Sequence, residues 1–396
     1  MKKMKLQDCC IFISDGDHQA PPKSDKGVPF ITISNITTDN RIDFSNVMYV
    51  PLEYYEQLSE KSKAIKNDIL YSVVGSFGKP VLIEEDRKFV FQRHIAILRP
   101  NLEKVIPEFL YYTLLNPQFY TVADYLAIGA AQRTISLESL RNIEIELPSL
   151  SQQKRIVDVI APIDKKIHEN AMINDYLEEM AKTIYDYWFV QFDFPNENGK
   201  SYKSSGGALL YNEVLKKEIP FGWTIDTLGN LLSKVPNSTK IPAIDFYDKG
   251  SIPVIDQSSD FIAGYTDDET SVLYNKTGYI VFGDHTRVVK YIRFPFARGA
   301  DGTQIINSNT RCMPNELFYQ VIKSIDLSNY GYARHFKYLK DTIIVIPSAN
   351  LADIYAEKVG KWYENQVSIM KENNALSQLR DWLLPMLMNG QATIED

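Results

Sequence analysis

The sequence predicts an α+β protein in which one pattern is used twice: a mixed α/β globular region followed by a long helix of coiled-coil character. Three observations predict it. Self-similarity at a long period marks a repeated architecture. Here it holds a constant offset of 199 residues, with Leu140 matching Leu339, Ile145 matching Ile344, Pro148-Ser149 matching Pro347-Ser348, and Asn174 matching Asn373. Both helical stretches carry heptad spacing, and strand-like segments recur ahead of them. Size agrees: 396 residues at roughly 150 per domain give two or three domains.

Taken in order, Val28–Ile33 is apolar and β-branched and predicts a strand, as does Asp68–Ser72 with Gly and Asp turns around it. A helix is expected from about Pro107 to Leu115. The strand Ile143–Leu147 ends at Pro-Ser, where the first long helix starts. Along it Ile156, Ile160, Ile163, Ile167, Asn170, Asn174, Leu177, Ala181, Ile184 and Trp188 recur at alternating intervals of four and three, which keeps one narrow seam towards a partner helix. Pro162 is expected to kink or restart this helix, because it lacks an N–H and clashes one turn back. Residues 194–212, rich in Asn, Gly, Ser and Lys, read as a linker. Ile252–Ile255 and Gly278–Asp284 then repeat the two early strands, and Thr342–Ile346 repeats the strand before the helix. The second seam is Val359, Trp362, Gln366, Ile369, Asn373, Leu376, Arg380 and Leu383. Asparagines on a seam cost stability but pin register.

Composition excludes several classes. With 44% apolar and 23% charged residues the chain is an ordinary globular protein. No apolar run approaches the roughly 18 residues of a membrane helix, and Cys9–Ile13 is too short for the core of an export signal. Three cysteines, at 9, 10 and 312, form no zinc-type spacing, so a reduced, cytoplasmic protein is expected. The net charge of −7 argues at first against nucleic acid, but the helical segments 151–190 and 349–396 carry −5 of it. Within the globular parts, Arg87–Leu102 and His285–Ala300 contain no acid and four basic residues each. Phosphate contact needs such local charge rather than a positive total.

Motifs for rival chemistry fail on their spacing. Asn116-Pro117-Gln118-Phe119 approximates the Asn-Pro-Pro-Tyr/Phe of adenine methyltransferases, but the second proline is missing and no Gly-rich donor loop precedes it. Gly199-Lys200-Ser201 lacks the glycine of a phosphate loop, since position 194 is Phe. Asp68 with Asp86-x-Lys88 is the kind of set metal-assisted hydrolysis uses, and it also occurs by chance in any charged protein. The alternatives are an adenine-specific DNA methyltransferase and a coiled-coil scaffold of paired helices with no nucleic-acid role.

Five segments carry a family resemblance. Trp188–Lys200, Ser204–Gly207 and Glu218–Trp223 are similar to the central region of type I restriction–modification specificity subunits. Leu147–Ile156, at the start of the first helix, and Leu379–Gly390, near the end, resemble the same family. The resemblance implies two mixed α/β target-recognition domains separated by two long antiparallel coiled-coil-like helices, with a pseudo-twofold internal repeat. It implies domains at 1–150 and 213–348, conserved helices at 151–193 and 349–390, and the linker at 194–212. It further implies a non-catalytic subunit that reads one half of a split double-stranded DNA target with each domain. Two methyltransferase subunits would dock on it and restriction (helicase-nuclease) subunits would join; the methyl donor would bind the partner, with no cofactor and no metal on this chain.

Base edges are read by Arg, Lys, Asn and Gln, while other basic residues hold phosphates. The loop Gly129–Thr134 offers Gln132 and Arg133 between small residues, and its counterpart Gly331–His335 offers Arg334 and His335. Lys79, Arg87, Arg93, His285, Arg287 and Lys290 complete the candidates for DNA contact. For helix pairing the candidates are Ile160, Ile163, Ile167, Asn170, Asn174, Leu177, Trp362, Ile369, Asn373, Leu376 and Leu383.

Overall fold

The computed structural model describes residues 2–37, 39–75, 77–129, 132–331 and 334–390. The chain divides into two compact units, Met1–His168 with Asn373–Asp396, and Glu169–Glu372. Each unit therefore owns part of both long helices.

In the first unit the elements are β1 (Lys2–Lys5), α1 (Leu6–Cys9), β2 (Cys10–Asp15), β3 (Val28–Ile31), β4 (Met48–Val50), α2 (Leu52–Gln57), β5 (Ile69–Ser72), β6 (Pro80–Leu82), β7 (Val90–Phe91) and β8 (Ile95–Pro100). Then come α3 (Pro107–Leu115), α4 (Pro117–Leu126), α5 (Leu137–Asn142), β9 (Glu144–Leu147) and the start of α6 (Leu150–Tyr185). An antiparallel sheet of order β2-β8-β5-β6 is the centre, beside a small sheet β4-β3-β7 and the pair β1-β9. All four residues of β5 are buried, because both faces are covered. One face meets Phe109 and Leu110 of α3 with Ile156 and Ile160 of α6; the other meets Ile31, Phe89 and Phe91.

The second unit repeats this plan. Its elements are β10 (Leu209–Asn212), β11 (Lys217–Pro220), β12 (Thr224–Thr227), β13 (Lys240–Ile241), β14 (Ile252–Ile255), β15 (Gly264–Thr266), β16 (Val272–Leu273), β17 (Tyr279–Gly283), β18 (Val289–Ile292), β19 (Phe296–Gly299) and β20 (Thr303–Ile306), followed by α7 (Asn315–Ser324), α8 (His335–Asp341), β21 (Ile343–Ile346) and the long α9 (Ala349–Met388). As β5 pairs antiparallel with β6 and β8, so β17 pairs with β18 and β20. The parallel pair β3·β7 is matched by β14·β19, and β1·β9 by β12·β21. The offset between equivalents falls from 224 at the starts of β3 and β14 to 199 at β9 and β21. Loop lengths differ inside the globular regions, so the 199-residue register survives only near the helices.

Side-chain bonds fix the direction of the helix pairing in each unit. In the first, Arg380 Nη1 donates to Asp164 Oδ1 at 2.9 Å and Asn373 Nδ2 to the Ile167 carbonyl at 3.1 Å. In the second, Asn170 Nδ2 donates to Glu372 Oε2 at 2.8 Å, Gln366 Nε2 to the Asn174 carbonyl at 2.9 Å, and Tyr355 Oη to the Ala181 carbonyl at 3.1 Å. Numbers rise along α6 as they fall along α9, so the pairing is antiparallel in both units. Of the seam residues, Ile160, Asn170 and Ile369 are buried, and Ile163, Ile167, Asn174, Leu177, Trp362, Asn373, Leu376 and Leu383 are half-buried. The expected break at Pro162 does not interrupt α6; Pro162 lies on the exposed side of the helix, and the carbonyl it leaves without an N–H partner is that of Asp158, one turn back.

The segment 194–212 is bonded rather than slack: Phe194 stacks on Tyr202 at 4.5 Å and on Trp223 at 5.2 Å, and the Asp193 carboxylate accepts from Ser204 N–H and Oγ–H. The Arg87–Leu102 and His285–Ala300 stretches are not structural equivalents, since the first spans β7 and β8 and the second β18 and β19. Half of their basic residues work internally. Arg99 grips buried Asp68 through Nε–Oδ1 at 2.9 Å and Nη2–Oδ2 at 2.8 Å, and Arg298 donates to the Thr303 carbonyl. Arg293 holds the Gly360 carbonyl and Glu364, and Lys290 is buried.

Asp68 is 1% exposed and Arg99 is its only cationic partner among the described residues. Arg99→Met should lower unfolding free energy by about 3–5 kcal/mol, because a buried carboxylate is left unpaired. Asp68→Leu with Arg99→Met should recover most of it. Urea unfolding of the three chains measures both effects.

Candidate nucleic-acid interface

Each unit gathers its loops at the end where its central strand finishes, β5 in the first and β17 in the second. In the first unit three connections are tied together there. The Val73 N–H donates to the His94 carbonyl at 2.9 Å, Gly75 N–H to the Arg133 carbonyl at 2.9 Å, and Ile135 N–H to the Val73 carbonyl at 3.0 Å. The turn after β5 needs glycine at Gly75 and Gly78, with φ of 72° and 91°. At Gly78 a Cβ would sit 2.5 Å from the Tyr120 ring, which stacks on Phe77.

This brings Lys79, Arg93, Gln132 and Arg133 to one end of the sheet. Arg93 and Gln132 are exposed and Lys79 is half-buried. Arg133 pairs with Asp124 at 2.7 Å, with both side chains partly exposed. Tyr125 and Ile128 stand out beside them at 88% and 73% exposure. Arg87 does not join this group. It lies on the β6–β7 connection, at the other end of β5, with its guanidinium 3.6 Å over the Phe44 ring. The small residues Ala130 and Ala131 lie outside the described residues, as do Tyr332 and Ala333 of the counterpart loop.

In the second unit Gln257 is the hub. Its Oε1 accepts from His285 N–H at 3.1 Å, its Nε2 donates to the Asp301 carbonyl at 3.1 Å, and its own carbonyl accepts from Thr286 Oγ1 at 2.6 Å. Asp284 bolts the same turn to α8: its carbonyl accepts from His335 N–H and its Oδ1 from Phe336 N–H, both at 2.8 Å. Arg287 and Arg334 are exposed, and His285 is half-buried. Arg287 holds a positive φ of 64°, a conformation costly for a side chain with a Cβ, kept in place by its N–H bond to the Gly283 carbonyl.

Two sequence candidates are corrected here. Lys290 is 4% exposed and its Nζ donates to the Asp256 and Asp260 carbonyls; burial pushes its pKa down. It shapes the 256–260 loop instead of reaching a phosphate. His335 is 1% exposed, at the first turn of α8, so it lies behind the surface that Arg334 occupies. Sequence reasoning missed Gln257 and Asp284. The Gly283-Asp284 turn after an apolar strand was a usable signal for Asp284, but nothing local marks Gln257, whose partners lie 28 to 44 residues away.

The rival sets are absorbed by the fold. Asn116 Oδ1 caps α4 by accepting from Gln118 N–H at 3.0 Å, and Asn196 Oδ1 accepts from Lys200 N–H in the Gly199 turn. Asp86 accepts from Lys66 N–H at 2.9 Å, while Asp68 is held by Arg99. Among the described residues no group of His, Cys, Asp and Glu could hold a metal ion, and no helix is long and apolar enough to cross a membrane.

Comparison with known proteins agrees with the repeated plan. Residues 1–179 match the family described as type I restriction modification DNA specificity domain. The MjaIX specificity subunit of a type I restriction enzyme from Methanocaldococcus jannaschii is 26% identical, over 74% of this chain and 70% of its own. The HindI specificity subunit from Haemophilus influenzae is 24% identical, over 92% of this chain and 94% of its own. In fold, the chain is similar to the S subunit of a type I restriction–modification system from M. genitalium, with a TM-score of 0.56 and 16% identity over 98% and 96% of the two chains. Matched over nearly its whole length by such proteins, and built twice on one plan, the chain is similar to the specificity subunits of type I restriction–modification systems.

Proposed function

We propose that this chain reads a split DNA target, one half with each unit, and delivers partner methyltransferase and restriction subunits to it without catalysing either reaction. The observation that carries this is the equivalence of the two loop clusters. Each sits at the same end of the same central strand, and each presents exposed long donors (Arg93 and Gln132, Arg287 and Arg334) on loops held by internal hydrogen bonds. Such donors on rigid loops suit base edges and phosphates. The methyl donor would then sit on the partner, and the place of action is the cytoplasm, where the duplex is.

Docking surfaces for the partners are proposed on the helices. In the second unit Met172, Tyr176 and Met180 form an exposed stripe on α6, at 40, 56 and 48% exposure, and Tyr176 and Met180 line a groove of about 430 Å³ with Trp362. In the first unit Leu379 and Trp382 are exposed on α9 at 43% and 60%. The 199-residue offset maps Met180 onto Leu379 and Thr183 onto Trp382. Exposed apolar patches of this kind mark interaction sites, and one per unit accounts for two modification subunits.

Two experiments test the proposal. Arg133→Ala and Arg334→Ala should each weaken binding through a different half of the target. A lost base contact should cost about 1–3 kcal/mol and relax one position, whereas a lost phosphate contact weakens all sequences alike. Competition binding over single-base target variants measures this, and loss of preference at one shared base would contradict it. Tyr176→Glu and Trp382→Glu should each remove one methyltransferase copy from the purified complex, read by native mass. Full stoichiometry in the double variant would contradict the docking assignment.

A further inference from the structure

A cavity of about 390 Å³ opens in the second unit where β18 and α7 meet the segments of α6 and α9. That volume lies within the roughly 300–1,000 Å³ of small-molecule sites. Its walls are aromatic. Tyr291 stacks on Tyr319 at 5.4 Å, and Tyr363 stands edge-on to both at 4.9 and 5.9 Å. Phe261, Phe294, Val367 and Met370 add apolar lining.

The cationic donors around this cavity are already engaged. Lys290 holds two carbonyls, and Arg293 holds the Gly360 carbonyl, Glu316 and Glu364. Tyr291 Oη donates to the Thr277 carbonyl, and Tyr319 Oη to Glu178 Oε1. Acceptors remain. Asn174 Oδ1 is buried without a hydrogen-bond partner among the described residues. Glu178 receives both Tyr319 and Lys323 on the same oxygen, Oε1. The exposed Asp175 contributes a further carboxylate to the lining. A buried acceptor left unpaired is costly, and such groups call for an occupant or an explanation.

We propose that this cavity binds a small organic cation with several N–H donors on an alkyl chain, the chemistry of a polyamine. Ammonium groups meet the remaining acceptors, while methylenes lie against Phe261, Phe294 and the aromatic wall. The site is independent of the DNA reading. It adjoins β18, which continues from the Asp284–Arg287 turn, so an occupant braces that turn's strand against the helix segments of its own unit. Binding to the folded state alone raises apparent stability by mass action.

The test is calorimetric titration of the full chain with spermidine at fixed ionic strength, with thermal unfolding in parallel. The expected result is one site per chain and a raised melting temperature. Asp175→Asn, an exposed and isosteric change, and Glu178→Gln should each weaken binding about tenfold, the loss of one charge contact. MgCl2 at matched ionic strength should not displace the ligand. Absence of binding, unchanged affinity in Asp175→Asn, or displacement by MgCl2 as for a general counterion would each overturn the proposal. Tighter binding of N-acetyl-lysine amide than of spermidine would also overturn it, and would assign the cavity to a protein side chain.

Discussion

The first unit cannot close its core with residues up to His168 alone. Leu384, Leu387 and Met388, from the last turns of α9, pack into one cluster with Leu6, Phe109, Leu110, Ile156 and Ile160. The chain must therefore return more than two hundred residues later before that core is complete. Hydrophobic closure makes this return mandatory, since fully burying each such side chain contributes about 1.5–3 kcal/mol. The antiparallel pairing of α6 with α9 follows from it.

Direction alone does not set register, and here the polar seam acts. Asn373, Asn170, Gln366 and the Arg380–Asp164 pair place hydrogen bonds at intervals along an otherwise apolar contact. A slip by one turn would leave these groups desolvated and unmatched, which is why such residues specify a register while lowering stability. At the other end of the first unit Gln153, 1% exposed, plays a similar part: its carboxamide accepts from Ile106 N–H and donates to the Lys104 and Pro148 carbonyls. Rigid loops follow from rigid supports, and the exposed donors of both loop clusters stand on them.

Much of this was legible in the residues, and the reasons are local. The two long helices were legible from their heptad spacing, since periodicity is a property of neighbouring positions. The helix Pro107–Leu115 and the strands before each helix were marked by turn residues and branched side chains. What escaped was everything decided at long range. Arg99 and Lys290 read as basic surface, but their partners are a buried carboxylate and two carbonyls about thirty residues away. The ordered segment after α6 read as a linker by composition; Trp223, which stacks on Phe194, lies beyond it in sequence. Arg87 and Arg93 are six residues apart yet fall at opposite ends of one strand's length, because β7 intervenes.

On the proposed function, two equivalent loop clusters read two separate stretches of duplex. Selection of bound duplexes from a random pool, with the chain assembled with its methyltransferase partner, tests it most directly. The expected result is an enriched target of two defined blocks separated by a spacer of fixed length and free sequence. A single contiguous block, or no enrichment at low salt, would contradict it.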